Sequence, residues 1–282
     1  MKKFTLFVIL FIIAGCFSAT LAGGPMLTRA VPPPLPVIAP PPPPPPPTPP
    51  RMFASGGLTV YMTDYKSILQ QNGYPDLNFG AAFGWSAKAA IPEFSVSVHM
   101  PQYADAEFTW ISPLVRSGVG VPTVPISIGG YTFGPRLADT ISLKASLSGE
   151  RFMLATPYFT NRRVMPTGMC EWWHLNTIAS GIPNTSTTSQ ATIEVKQDFN
   201  KIMLGVGVSG ESVQTPMCVS YRALYTSGGH TSGCLLEAGL GYRQNNMWAE
   251  IGYRYSTRKL PFDTGNVEVS TNGPYARLNL VF

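Results

Sequence analysis

Charge is scarce in this sequence: 12% of its 282 residues are Asp, Glu, Lys or Arg, about half the share of an average globular domain. That deficit argues against a surface that faces water on all sides. The net charge of +5 is spread along the chain without a basic patch interleaved with aromatics, so nucleic acid is not an expected partner. Long apolar runs are also lacking. Beyond residues 4–13 nothing approaches the roughly 18 apolar residues that mark a membrane helix. Cysteine is sparse, four residues with no CxxC or HxxxH spacing, so neither a bound metal nor a cofactor is expected.

What is present begins with an export signal. Met1, Lys2 and Lys3 are followed by the apolar stretch 4–13, the length of a secretory core and too short to span. Cleavage after Ala22 makes 1–22 a signal peptide, while the tetrad 13–16 is a lipobox candidate that would lipidate Cys16. Residues 23–53 hold a proline-rich linker with eight consecutive prolines at 40–47. Proline fixes φ and lacks an N–H, so this segment is expected to be an extended spacer on the periplasmic side.

From residue 54 to 282 the pattern has a period of two, the strand signal. In the last hairpin Ala238, Leu240 and Tyr242 share one face and Glu237, Gly239 and Gly241 the other. Asn245-Asn246 makes a tight turn, which sets Glu237 opposite Arg254 and Gly241 opposite Glu250. The same reasoning places turns near Ala90-Ile91, Gly149-Glu150 and Phe199-Asn200, with Lys88 meeting Glu93 and Asp198 meeting Lys201. Strands are then expected near 57–65, 78–89, 93–101, 139–148, 151–160, 190–199, 201–210, 233–243, 246–257 and 273–282. Long loops fall at 66–77, 102–138, 161–189, 211–232 and 258–272.

Short turns alternating with long loops, a small-residue and charged face, and an apolar aromatic-rich face are the signature of a transmembrane β-barrel. The expected fold is therefore all-β, an antiparallel up-and-down barrel of about ten strands. Residues 102–138 could add a hairpin to make twelve, and eight results if the first hairpin is misread. The final strand alternates Ala276, Leu278, Leu280 and Phe282 with Arg277, Asn279 and Val281. It resembles the assembly signal of bacterial outer-membrane β-barrel proteins, and the resemblance implies recognition of Leu278, Leu280 and Phe282 by the barrel-assembly machinery. It also implies an outer-membrane location, with outer-membrane lipid and lipopolysaccharide as surroundings.

A barrel of this size has a narrow lumen. Buried charges there need partners, so a salt-bridged plug with a mild cationic excess is expected, with a narrow anion-preferring pore as the alternative. Glu93, Ser95, Ser97 and His99 share a face, the residue types of acyl chemistry as in lipid A deacylase barrels. Neighbours two apart on a strand are about 7 Å apart, however, too far for a Ser–His bond. Omptin proteases are similar in size, but His174, His230, Asp76 and Asp263 stand in no Asp-x-Asp or Asp-x-His arrangement. No enzyme activity is expected. Cys218 and Cys234 are the candidate disulfide, with Cys170 left over. Trp172 and Trp173, assigned to the loop 161–189 beside the polar stretch 184–189, are candidate recognition residues for a host or surface ligand. The sequence thus points to surface interaction, adhesion or envelope structure.

Overall fold

The computed structural model describes residues 52–100, 104–135, 140–156, 164–186, 189–211, 216–226, 232–263 and 265–282. The signal segment, Cys16 and the proline-rich linker up to residue 51 lie outside the described residues. In chain order the elements are β1 (Phe53–Gln71), β2 (Leu77–Asn78), α1 (Phe79–Phe83), β3 (Lys88–Met100), β4 (Ala104–Gly120), β5 (Ile126–Ile128), β6 (Tyr131–Phe133), β7 (Ile141–Ala155), β8 (Val164–Gly181), β9 (Ala191–Glu211), β10 (Met217–Thr226), β11 (Gly233–Gln244), β12 (Met247–Phe262) and β13 (Gly265–Val281). Among the described residues no helix is long and apolar enough to cross a membrane.

Ten long strands form one antiparallel sheet in the order β1-β3-β4-β7-β8-β9-β10-β11-β12-β13, and β13 returns to pair with β1. The seam runs from Ser55↔Val281 to Gln71↔Gly265. Closure satisfies backbone groups that an open edge would leave bare. The start of β1 and the end of β13 therefore sit at one end of the barrel, the terminal end, together with the Asn245-Asn246 turn. The ends of β1, β4, β8, β10 and β12 sit at the opposite, loop end. The expected count of ten strands holds, and so does the last hairpin: Glu237 pairs with Arg254 and Gly241 with Glu250. Asn245 has φ 52, the left-handed conformation that Asn tolerates in such turns.

Most other expected boundaries are overturned. The turns placed near Ala90-Ile91, Gly149-Glu150 and Phe199-Asn200 lie inside the continuous strands β3, β7 and β9. The loops placed at 102–138, 161–189, 211–232 and 258–272 contain β4, β8, β10 and the junction of β12 with β13. The loop placed at 66–77 begins six residues too early, because β1 runs to Gln71.

One physical cause explains the three false turns. Along β9, Thr192, Glu194, Lys196, Asp198 and Asn200 face outward and are followed on the same face by Ile202, Leu204 and Val206. The opposite face changes from Ile193, Val195 and Phe199 to Lys201, with Met203, Gly205 and Gly207 beyond it. In β7, Ile141, Leu143 and Leu147 point inward above Arg151, while Lys144 points outward above Phe152 and Leu154. In β3, Ile91 is followed inward by Glu93, and Lys88 is followed outward by Phe94, Val96 and Val98. Each strand thus exchanges its apolar face partway along. A two-residue turn produces the same shift of parity in the sequence.

The expected strand 78–89 is likewise replaced. Asn78 Oδ1 accepts a bond from Ala81 N at 3.3 Å, and Gly84 closes α1 at φ 66. Phe79 and Phe83, four apart, share one helical face in the core. Sequence alternation alone cannot separate this spacing from a strand. Above the middle of the barrel the interior is apolar. The β5–β6 hairpin lies within it, with Ile126, Ile128 and Phe133 almost wholly buried among Ile141, Leu143 and Leu260. Its Gly129-Gly130 tip reaches Ile193 and Val195 of β9, and Asn184 Nδ2 bonds the Gly134 carbonyl at 2.8 Å.

Candidate functional site

Below that apolar layer the strands project charge into the lumen. Arg254 of β12 is the centre. Its Nε donates to Glu237 at 2.8 Å and its Nη1 to Glu93 at 2.5 Å. Tyr61 and Tyr275 place their rings 5.0 and 5.4 Å from its guanidinium. Arg277 reaches Glu237 at 3.0 Å and Thr59 at 3.2 Å. Arg222 reaches Glu107 at 3.2 Å. One layer nearer the loop end, Glu171 accepts from Arg258 at 2.9 and 3.1 Å, from Trp173 Nε1 at 3.0 Å and from Arg151 at 3.4 Å. Arg151 lies 4.0 Å from Glu93 and so links the two clusters.

Glu93, Glu107, Glu171, Glu237 and Glu250 are thereby matched against Arg151, Arg222, Arg254, Arg258 and Arg277. Lys201 is an added cation, 7% exposed, and its Nζ has no hydrogen-bond partner among the described residues. Arg116, which lines the upper interior and bonds the Lys88 carbonyl at 2.9 Å, is a second cation without a carboxylate partner among the described residues, so the cationic excess there is Lys201 and Arg116. Buried ions are tolerated when paired in this way, and the result is a plug. Two cavities in this interior, one beside Glu93, Arg151 and Arg254 and one beside Leu143, Leu147 and Leu260, are each about 30 Å³, the share of about one water molecule.

Of the expected lumen pairs, Glu237–Arg254 forms. Lys88–Glu93 and Asp198–Lys201 do not. Lys88 and Glu93 lie on one strand with Lys88 outward and Glu93 inward, and Asp198 and Lys201 differ in the same way on β9. Lys144, Lys196 and Glu194 also face outward. Glu107, Glu171, Arg222 and Arg258 were missed because they fall in segments read as loops.

Cys218 and Cys234 form no disulfide. Cys218 opposes Gly241 while Cys234 opposes Tyr225. Seven residues of β11 separate Cys234 from Gly241, or about 23 Å at 3.3 Å per residue, and a disulfide needs Cα atoms within about 7 Å. Trp172 and Trp173 are not in a loop; they sit inside β8, Trp172 outward and Trp173 in the lumen beneath Arg258 at 4.4 Å. Leu278, Leu280 and Phe282 are exposed on the outer face at the terminal end.

Among the described residues the serines and histidine considered for acyl chemistry are not brought together as nucleophile and base. Ser97 Oγ bonds Ser55 Oγ at 2.6 Å, and His99 pairs with Asp105. On the outer wall His174 Nδ1 meets Asp198 at 2.8 Å and Nε2 meets Glu150 at 2.9 Å. These two bonds, to Asp198 first and Glu150 second, raise the imidazole pKa and occupy both nitrogens. Neither Asp76 nor Asp263 joins them; Asp263 Oδ2 accepts instead from Gly130 N at 3.4 Å. His230 lies outside the described residues.

No family model matches the chain, and no curated protein matches it. Among solved structures, the outer membrane protease OmpT from Escherichia coli is similar over 82% of this chain and 97% of its own, at 9% identity and a TM-score of 0.45. The attachment invasion locus protein Ail of Yersinia pestis is similar over 79% and 98%, at 9% identity and 0.30. Neisserial surface protein A is similar over 81% and 96%, at 11% identity and 0.30.

Proposed function

We propose that this chain is an integral outer-membrane barrel with a sealed lumen. On this reading it acts through its loop end and outer wall, as a surface-interaction or envelope-structural protein without chemistry of its own. One observation carries the membrane assignment. On the half nearest the termini the outer face exposes Leu58, Val60, Met62, Phe94, Val96, Phe108, Trp110, Phe152, Leu154, Ile202, Leu204, Ile251, Leu278 and Leu280. A soluble domain does not present so continuous an apolar girdle to water, whereas acyl chains match it. On β7 and β9 the other half carries polar outer residues and an apolar interior, the arrangement of a barrel in water.

Crossing the hydrocarbon takes about 9–11 residues of strand, and β1, β8, β9 and β13 are 19, 18, 21 and 17 residues long. The surplus extends beyond the girdle and lifts the loop end clear of the bilayer. The test is fractionation and heat-modifiable migration: a detergent-requiring protein whose unboiled form migrates differently is expected. Recovery of folded protein from a detergent-free periplasmic extract would overturn the membrane reading.

The alternative of a narrow anion-preferring pore is disfavoured by the Arg254 cluster and the hairpin layer stacked above it. Planar-bilayer recordings should give no discrete openings; salt-dependent openings would sink the sealed-lumen reading. The hydrolase alternative lacks a Ser–His contact. Alanine at Ser97 or His99 should leave lipid A mobility unaltered.

A further inference from the structure

We propose that the outer wall beside α1 is a saccharide site that holds the sugar headgroup of an outer-leaflet glycolipid, an inference that rests on the outer-membrane reading above. β1 and β13 pair as Asp64↔Asn272 and Lys66↔Ser270. All four side chains stand on the outward face. They lie one step beyond Met62 and Pro274, outward apolar residues of the same two strands; Ile68, the outward residue after Lys66, pairs with Asn78 of β2. Across from them, α1 and Ser86 supply the opposite side of a cleft of about 440 Å³. At roughly 30 Å³ per molecule the cleft has room for about fifteen waters, enough for one or two sugar rings. Gly80 and Ala81 line it without filling it.

The cleft exists because the wall is incomplete there. The β1–β3 ladder ends at Asp64↔Lys88, and β2 rejoins β1 only at Ile68 and Leu69. Lys66 and Ser67 lie in the gap between those ladders.

The chemistry selects a polyol. Asp64 accepts, Lys66 donates, and Asn272 and Ser270 do both, while Ser86 Oγ donates to the Lys88 carbonyl and accepts from its N–H. Their strand positions are spaced about 5 Å across the ladder and about 7 Å along it, the scale of ring hydroxyls. The Asp64 carboxylate and the Lys66 ammonium cancel within the cleft, and Lys88, which opposes Asp64 on β3 and also faces outward, adds one cation at its rim. Directly below, Val60 and Met62 are 37% and 60% exposed. Together with Ala276 they form an apolar rail for an acyl chain continuous with a sugar bound above.

The test uses the full chain folded in dodecylphosphocholine, a sugar-free detergent. Rough-type lipopolysaccharide, its deacylated oligosaccharide and phosphatidylglycerol are titrated separately, with binding read by thermophoresis. Asp64→Ala and Lys66→Ala remove exposed polar groups, and Ala81→Trp fills the cleft with those groups left in place; each is checked for native heat-modifiable migration. Tighter binding of lipopolysaccharide than of phosphatidylglycerol is expected, weakened at least tenfold by each variant. Binding of the intact glycolipid above that of the oligosaccharide supports the leaflet source; equal binding supports the saccharide site with a free glycan as its source. Affinity unchanged in folded Asp64→Ala and Ala81→Trp, or phosphatidylglycerol binding equally well, overturns the proposal. A chain that stays folded and soluble without detergent fails the membrane reading before any ligand is added.

Discussion

Arg254 Nη1 lies 2.5 Å from Glu93 Oε1, a contact between residues 161 positions apart in sequence. The same guanidinium holds Glu237 on the neighbouring strand at 2.8 Å. One arginine therefore ties β12 to β11 and, across the lumen, to β3.

Removing that arginine should be costly. Arg254→Met leaves Glu93 and Glu237 without their principal partner, and breaking a buried pair costs about 3–5 kcal/mol. The denaturant midpoint of the barrel folded in lipid vesicles should fall accordingly. Arg254→Met with Glu93→Gln should recover part of the loss. A midpoint unmoved by the single substitution would show that the cluster does not hold the barrel together.

Lys201 should behave in the opposite way. Its ammonium is buried without a hydrogen-bond partner among the described residues, and an ammonium buried without a hydrogen bond is destabilising. Lys201→Met, of similar length, should leave stability unchanged or raise it by about 1–3 kcal/mol. Earlier unfolding of this variant under the same denaturant series would refute the assignment.

His174 should make the outer wall weakly pH-sensitive. Its pKa is raised, by Asp198 first and Glu150 second. A raised folded-state pKa means stabilisation fully present below the unfolded value of about 6.5 and lost as pH climbs through the folded value. The side chain is 49% exposed, so solvent screening keeps the effect under about 1 kcal/mol. Proton NMR of the His174 ring should show its titration midpoint falling toward the ordinary value in Asp198→Asn. An unchanged midpoint would mean that the contact is not populated.

The lipid boundary on β9 can be located by charge scanning. Leu204 is 67% exposed on the outer face, and an arginine on the lipid face near the midplane costs about 2–4 kcal/mol. Leu204→Arg should slow vesicle insertion and lower the folded yield. Glu194→Arg, ten residues toward the loop end on the same face, should do neither. Equal behaviour of the two variants would remove the boundary from β9.

The sequence was legible where turn chemistry and alternation agreed. Asn245-Asn246 carries the residues that a tight turn requires, and the hairpin around it was readable down to the Glu237–Arg254 pair. At Ala90-Ile91 no such turn chemistry exists, and Ile91 is a β-branched residue suited to a strand interior. That absence was the available signal that the chain runs straight through. The count of ten survived because each strand wrongly divided was offset by one hidden in a supposed loop.

By itself the sequence determined the period of two, the all-β class and one correct hairpin, because side-chain alternation is a local property of extended backbone. Only the tertiary structure decided which face is inside at each height, and hence that Lys88 and Asp198 face outward while Glu171 and Arg258 plug the lumen. The reason is that inside and outside exchange their polarity where a strand leaves its apolar girdle. In one dimension that exchange and a reversal of the chain leave the same trace, and only the neighbouring strands tell them apart.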